Sequence, residues 1–217
     1  MRAATVAEAG GRMITLFLKG LAFGFVLAAT VGPMWVLCFR RTLSHGALAG
    51  LASGMGIAVA DAVYGAVAAF GLTALSSFLF AQQFWLTLGG GGVLLWLGAT
   101  TLLAKPSALE TGAAAATTYG LAAGFLSTFG LTLANPPTIL AFVAIFAAIG
   151  LGSHASYAAA ALVVLGVFLG SALWWLFLAV AAGALRERLG PRLVRAINIV
   201  SGLTILGFAI WQLARLV

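Results

Sequence analysis

Six stretches of this chain, roughly 14–38, 46–75, 84–103, 119–149, 156–182 and 196–214, run almost unbroken in apolar residues. A helix needs about 20 such residues to cross the hydrocarbon of a bilayer. Transmembrane strands would instead alternate polar and apolar residues with period two, and these runs do not. With no water to pair with, the backbone of a spanning segment must satisfy its own polar groups, which continuous helices do. Only 7% of the 217 residues are charged and 63% are hydrophobic, against roughly 25% charged in a soluble domain. So few polar residues cannot clothe a water-facing surface. The sequence predicts an all-α integral membrane protein of six transmembrane helices. One compact domain is expected over 14–217, with loops too short to hold a soluble catalytic domain. Residues 1–12 are not apolar, so an N-terminal tail is expected over 1–13, with Met13 as an alternative start.

The net charge of +7 would suggest nucleic acid in a soluble protein. Here the charges flank the apolar runs, so membrane insertion accounts for them and no nucleic acid is expected. The first loop carries Arg40 and Arg41, the third Lys105 against Glu110, and the fifth Arg186, Arg188, Arg192 and Arg195 against Glu187. The second loop (76–83) and the fourth (150–155) carry no Lys or Arg. Basic loops stay in the cytoplasm, which puts the odd-numbered loops there and both termini outside. Arg2, Arg12, Lys19 and Arg215, in or near the termini, oppose that assignment. The basic cluster at 186–195 reads as a topology anchor with anionic lipid as its partner.

Cys38 is the single cysteine, which excludes an intramolecular disulfide and a cysteine-rich metal site. It also argues against a membrane redox enzyme working through a cysteine pair. His45 and His154 fall in loops. No metal, no cofactor and no catalytic residue is expected.

A repeat is visible. GLAFGFV (20–26) opens the first run and GLAAGFL (120–126) opens the fourth, and each run then meets a helix breaker, VGPM (31–34) or ANPPT (134–138). If the halves are 14–103 and 119–214, each holds three helices. An odd number inserts the second half upside down, giving a 3+3 inverted repeat of the kind many secondary transporters use. Proline removes a helix hydrogen bond and clashes with the preceding turn, so Gly32-Pro33 and Asn135-Pro136-Pro137 are expected to break helices 1 and 4. A broken helix offers its positive N-terminus to an anion and bare carbonyls to a cation. Thr30, Asn135 and Thr138 add side-chain hydrogen-bonding groups beside the breaks.

Asp61 is the only acid inside any run. An ionised Asp at a helix centre costs about 2.5–3.5 kcal/mol on insertion scales. Three readings stand side by side: Asp61 carries a proton, pairs with a substrate ammonium, or holds a structural ion pair with Lys19. Tyr64 lies one turn on, placed to hydrogen-bond Asp61 or to wall the site. Glycines four apart (Gly20/Gly24, Gly50/Gly54, Gly120/Gly124, Gly166/Gly170) let helices approach closely; they permit a homo-oligomer without requiring one. Trp85, Trp96, Trp174, Trp175 and Trp211 read as interfacial or packing residues.

The stretch VGPMWVLCFRRTLSHGALAGLASGMGIAVADAVYGAVAAFGL (31–72) resembles the first half of the lysine exporter (LysE/RhtB) family of amino-acid exporters, with its Gly-Pro, Arg-containing loop and glycine-rich second helix. GFLSTFGLTLANPPTILAFVAIFAAIG (124–150) is similar to that family's fourth helix with its Asn-Pro. The resemblance implies an inner-membrane exporter of amino acids or related small metabolites driven by the proton motive force. It points to Gly32, Pro33, Asp61, Asn135 and Pro136. Basic-amino-acid exporters of the family carry a second acid a few residues after Asn-Pro. Here that stretch reads Thr138-Ile139-Leu140-Ala141, so the resemblance implies a neutral amino acid rather than lysine or arginine. The alternative is a channel-like or non-transporting membrane subunit.

Overall fold

The structure is a computed structural model and describes residues 2–69, 81–103, 118–135, 138, 141–142, 156–186 and 190–216. Among these all the regular structure is helical: α1 (Arg2–Ala29), α2 (Pro33–His45), α3 (Ala47–Ala69), α4 (Gln83–Leu103), α5 (Thr118–Leu133), α6 (Tyr157–Arg186) and α7 (Pro191–Ala214). Among the described residues, five helices are long and apolar enough to cross a membrane, over Gly10–Ala29, Ala47–Ala69, Gln83–Leu103, Tyr157–Leu185 and Arg192–Ala214; the apolar stretch Gly120–Leu133 is shorter.

The bundle has an apolar outer surface, and polar side chains lie buried among its apolar core. Val26, Trp85, Trp96, Leu126, Phe177, Val180 and Leu203 are exposed, while Ser53, Asp61, Thr87, Thr128, Ser171 and Gln212 are buried. An exposed apolar surface on this scale needs a lipid solvent, and polar groups turn inward because lipid cannot hydrogen-bond them. Of the tryptophans read as interfacial or packing residues, Trp85 and Trp96 face outward, and Trp175, 3% exposed, packs inside.

The first run departs from its expected limits. α1 begins at Arg2, so the segment read as a tail over 1–13 continues the first helix. It stops at Ala29 rather than near residue 38. Gly32 is extended (φ −154°, ψ −175°) and Pro33 opens α2, where a missing N–H costs nothing because the first turn has no acceptor for it. α2 then runs to His45, so Arg40, Arg41 and His45 belong to a helix and not to a loop. What remains of the first loop is Gly46, whose φ of 92° is open to glycine and strained for other residues. Its N–H bonds the Thr42 carbonyl at 2.9 Å and closes the helix end.

The two arginines are held by the protein. Arg41 donates through Nη1 to Ser53 Oγ and the Gly124 carbonyl, both at 3.0 Å, and through Nη2 to Ser127 Oγ at 2.9 Å. One guanidinium therefore ties α2 to α3 and α5, using the fork of donors that only Arg has. Arg40 donates to Thr101 of α4, and Arg195 of α7 to the Leu102 carbonyl. These contacts gather the end of α2, the starts of α3, α5 and α7 and the end of α4 at one end of the bundle.

Glycines set the helix pairs. A Cβ at Gly20 or Gly24 would overlap the backbone of Val163 or Val167, and one at Gly166 or Gly170 the backbone around Phe17, Leu21 and Phe25. α1 and α6 thus run parallel with their backbones in contact, held by small residues four apart on both sides. α3 and α5 also run parallel, with Gly56 against Phe125 and Gly124 against Ser53. α3 and α6 cross antiparallel, Gly54 against Trp175 and Asp61 against Ser171. α4 and α7 are antiparallel as well, with Gly91 against Leu213, Gly98 against Leu206 and Gly202 against Leu102.

Candidate functional site

Two chain breaks and one buried acid define the site. At the first, α1 ends by folding its last carbonyls onto Thr30, whose N–H bonds the Leu27 carbonyl at 3.2 Å and whose Oγ1 donates to the Val26 carbonyl at 3.1 Å. Beyond extended Gly32, no side chain caps α2. Val36 N–H bonds the Gly32 carbonyl at 3.0 Å. The amides of Met34 and Trp35 have no intrahelical partner, as in the first turn of any helix. They form the positive end of the α2 dipole.

At the second break, α5 ends at Leu133. Ala134 and Asn135 still bond back to Gly130 and Thr132, at 2.9 and 3.1 Å. The Asn135 carbonyl then accepts from Thr138 N–H at 3.1 Å, and Asn135 Nδ2 donates to Thr138 Oγ1 at 3.0 Å. This side-chain bracket gives Asn135 the role Asn commonly has where a helix gives way to a turn. Pro136, a candidate site residue from the sequence, lies outside the described residues, as does Pro137.

Both breaks open on one cavity of about 440 Å³, which Asp61 also lines. Sites for small molecules span roughly 300–1,000 Å³. Thr30, Gly32, Pro33, Asp61, Asn135 and Thr138, singled out on sequence alone from three separate runs, therefore meet around a single space. Asp61 is 2% exposed and accepts a hydrogen bond from Ser171 Oγ of α6 at 2.8 Å. No Lys or Arg lines the cavity among the described residues.

Two sequence readings are corrected. Lys19 is exposed on α1 while Asp61 is buried, so the two do not form the ion pair considered above. Tyr64 does not line the cavity. Its hydroxyl donates to the Leu133 carbonyl, one of the last carbonyls of α5, which have no intrahelical donor. Tyr64 is a strut between α3 and the end of α5, and its ring packs on Phe142 with centroids 5.7 Å apart.

Several lining residues escape the sequence reading: Thr132, Trp175, Trp35 and Phe208, and behind them Ser171. Ser171 had one faint signal, as the sole Ser or Thr within α6. Thr132 Oγ1, Asn135 Oδ1 and Trp175 Nε1 are buried without a protein hydrogen-bond partner. Each costs about 1–3 kcal/mol if left unpaired, so the cavity suits an occupant with polar groups of its own. Its chemistry is two-sided: a carboxylate with acceptor oxygens beside it, and a helix N-terminus with free amide donors.

The Ser171 contact is open to test. Ser171→Ala leaves a buried carboxylate oxygen without its donor and is expected to destabilise the protein by about 1–3 kcal/mol. Ser171→Thr, which keeps a hydroxyl, should lie between Ala and wild type. Thermal unfolding in detergent measures both; an Ala variant as stable as wild type would remove the contact from the account.

Comparison with known proteins agrees with the motif resemblance. The family described as LysE type translocator matches residues 25–215. A protein of Bacillus subtilis (strain 168) carrying the name "Putative amino acid efflux protein YcgF" is 26% identical over 212 residues, covering 91% of this chain and 95% of that relative. No solved structure matches the chain significantly.

Proposed function

Because the chain belongs to the LysE type translocator family, we propose that it exports a neutral amino acid, or a close derivative, by proton antiport at the cavity lined by Asp61. The observation that carries this reading is the meeting of the one acid inside a span with both helix breaks around one space. The name of the Bacillus subtilis relative supports amino acids as the cargo.

A zwitterion fits the two-sided chemistry. Its carboxylate is received by the Met34 and Trp35 amides at the start of α2, where the helix dipole favours negative charge. Its ammonium is received by Asp61, with Asn135 Oδ1 and Thr132 Oγ1 as further acceptors. A proton on Asp61 removes the charge that holds the ammonium. Asp61 therefore serves proton or substrate in turn, and this mutual exclusion is the minimal device for antiport.

The bundle supports an alternating mechanism built on a 3+3 inverted repeat of six spans. Exchange the halves, α1 with α5, α3 with α6 and α4 with α7, and the four most extensive helix pairs map onto themselves. The α1–α6 pair becomes α5–α3, both parallel, while α3–α6 and α4–α7 return to themselves, both antiparallel. A two-fold axis in the membrane plane demands this pattern, and rocking one half against the other around a fixed site is how such repeats transport. The gathering of Arg40, Arg41 and Arg195 at one end of the bundle supports placing the odd-numbered loops together in the cytoplasm, with export across the inner membrane.

The test is efflux. Liposomes carrying the purified chain and preloaded with a mixture of labelled amino acids are expected to lose a subset of them faster than protein-free liposomes. If no amino acid leaves faster, the reading fails.

A further inference from the structure

We propose that the cavity selects amino acids with a large apolar side chain, branched aliphatic or aromatic, and that Trp35, Trp175 and Phe208 form the subsite for that side chain. This deepens the amino-acid reading above and rests on it. The polar groups of the cavity are few, and the main-chain end of a zwitterion uses them. Most of the remaining lining is apolar, and its three largest members come from separate elements: Trp35 from α2, Trp175 from α6 and Phe208 from α7. An amino-acid site for small or polar side chains has no use for three large rings.

The charge pattern points the same way. Among the described residues, Asp61 is the only charged one in the lining. The side chains that follow the second break into the cavity, Thr138 and Ala141, are neutral. A lysine or arginine would bring a second cation into the cavity with no second acid to meet it, and an unpaired buried charge is strongly disfavoured. At the other extreme, glycine or alanine would leave the rings in contact with trapped water and forgo the gain from burying apolar area.

The rings are also held in place, as a selective wall requires. Trp35 stacks on Phe39, with centroids 5.0 Å apart and planes inclined by 17°. Trp175 packs where Gly54 leaves room, its Cγ only 2.7 Å from where a Cβ on that glycine would stand. Trp175 is therefore seated by the helix crossing itself.

The experiment uses the purified full-length chain in liposomes and measures exchange of labelled glycine, alanine, leucine, phenylalanine and lysine, each against its own unlabelled form. Leucine and phenylalanine are expected to exchange at least about tenfold faster than glycine, and lysine not at all; a methylene or two in an apolar pocket is worth about 10–200-fold. Phe208 is partly buried and packs against the core, so elution of Phe208→Ala as a single species in detergent is the check that its fold survives. That variant is expected to lower the leucine-to-alanine ratio about tenfold, while Phe208→Leu keeps most of it. The ratio is internal to each preparation, so loss of active protein does not move it. Exchange of lysine or glycine at the leucine rate, or equal loss for all substrates in Phe208→Ala, overturns the proposed selectivity while leaving amino-acid transport standing. Failure of all five to exchange overturns both.

Discussion

An Asp61→Asn variant is expected to fold as well as wild type and to lose net uphill export. Asn is nearly the same shape and can still accept the hydroxyl hydrogen of Ser171, which lies 2.8 Å from the carboxylate. The substitution also relieves the cost of an acid at a helix centre, about 2.5–3.5 kcal/mol on insertion scales, so the melting temperature should not fall. Asn binds no exchangeable proton and offers a substrate ammonium no charge. A hydrogen bond to a charged group contributes about 1.5–3 kcal/mol, and 1.4 kcal/mol is tenfold, so a loss of about 10–150-fold is expected from weakened binding alone. Coupling is lost in addition. The combination of unchanged stability and lost export separates a transport role from a structural one. Uphill export by Asp61→Asn at the wild-type rate would end the proposed role of Asp61.

The second large effect is structural. Gly24→Val is expected to disrupt the α1–α6 contact, because a Cβ there meets backbone rather than a movable side chain: it would overlap the Val167 carbonyl oxygen, with the carbonyl carbon and Cα of Val167 at 2.8 Å. Neither helix can yield without separating from the other. Overpacking typically costs about 1–3 kcal/mol, occasionally more, and a branched side chain against rigid backbone should lie at the upper end. Gly170→Val, across the same contact, meets Leu21 and Phe25 backbone and should behave alike. Gly92→Ala is the control. Nothing lies within 4 Å of a Cβ at that position, and alanine is the better helix former by about 1 kcal/mol. Equal melting temperatures for Gly24→Val and Gly92→Ala would contradict the packing. Function should follow the fold here, since α1 carries Leu27 and Ala28 into the cavity and leads directly to Thr30.

Much of this molecule is legible in its amino-acid sequence. Hydropathy alone places α3, α4, α6 and α7 to within a few residues at most ends, because lipid makes length and apolarity decisive. The glycines four apart report the α1–α6 contact because close approach has no other residue to use. Asp61, Gly32, Pro33, Asn135 and Thr138 stand out because each breaks a rule that an apolar helix otherwise obeys. The division of the first run into α1 and α2 is harder to see. Gly32-Pro33 signals a break, but the apolar pattern continues across it to Cys38.

Arg40 and Arg41 read as loop residues because charge usually marks a membrane surface. They are helical because Thr101, Ser53, Ser127 and the Gly124 carbonyl receive them, and those partners come from distant parts of the chain. Tyr64 misleads for a related reason. One turn of spacing suggests Asp61 as its partner, but the orphan carbonyl at the end of α5 sits within reach. The aromatic residues of the cavity carry no signal at all. A Trp that faces lipid, such as Trp96, and one that faces the site, Trp175, look the same in a sequence, and only the helix crossing at Gly54 tells them apart.

The most direct test of the central claim, that substrate and proton exchange at one acid, is substrate-driven proton flux. The purified chain is placed in liposomes under an imposed pH gradient, and a fluorescent pH reporter follows the addition of each amino acid in a panel. The account predicts that the transported amino acids, and no others, drive a proton movement opposite to their own, and that reversing the gradient reverses the direction of net transport. Amino-acid flux that is indifferent to the gradient and produces no proton signal would contradict it, and would describe a channel-like protein instead.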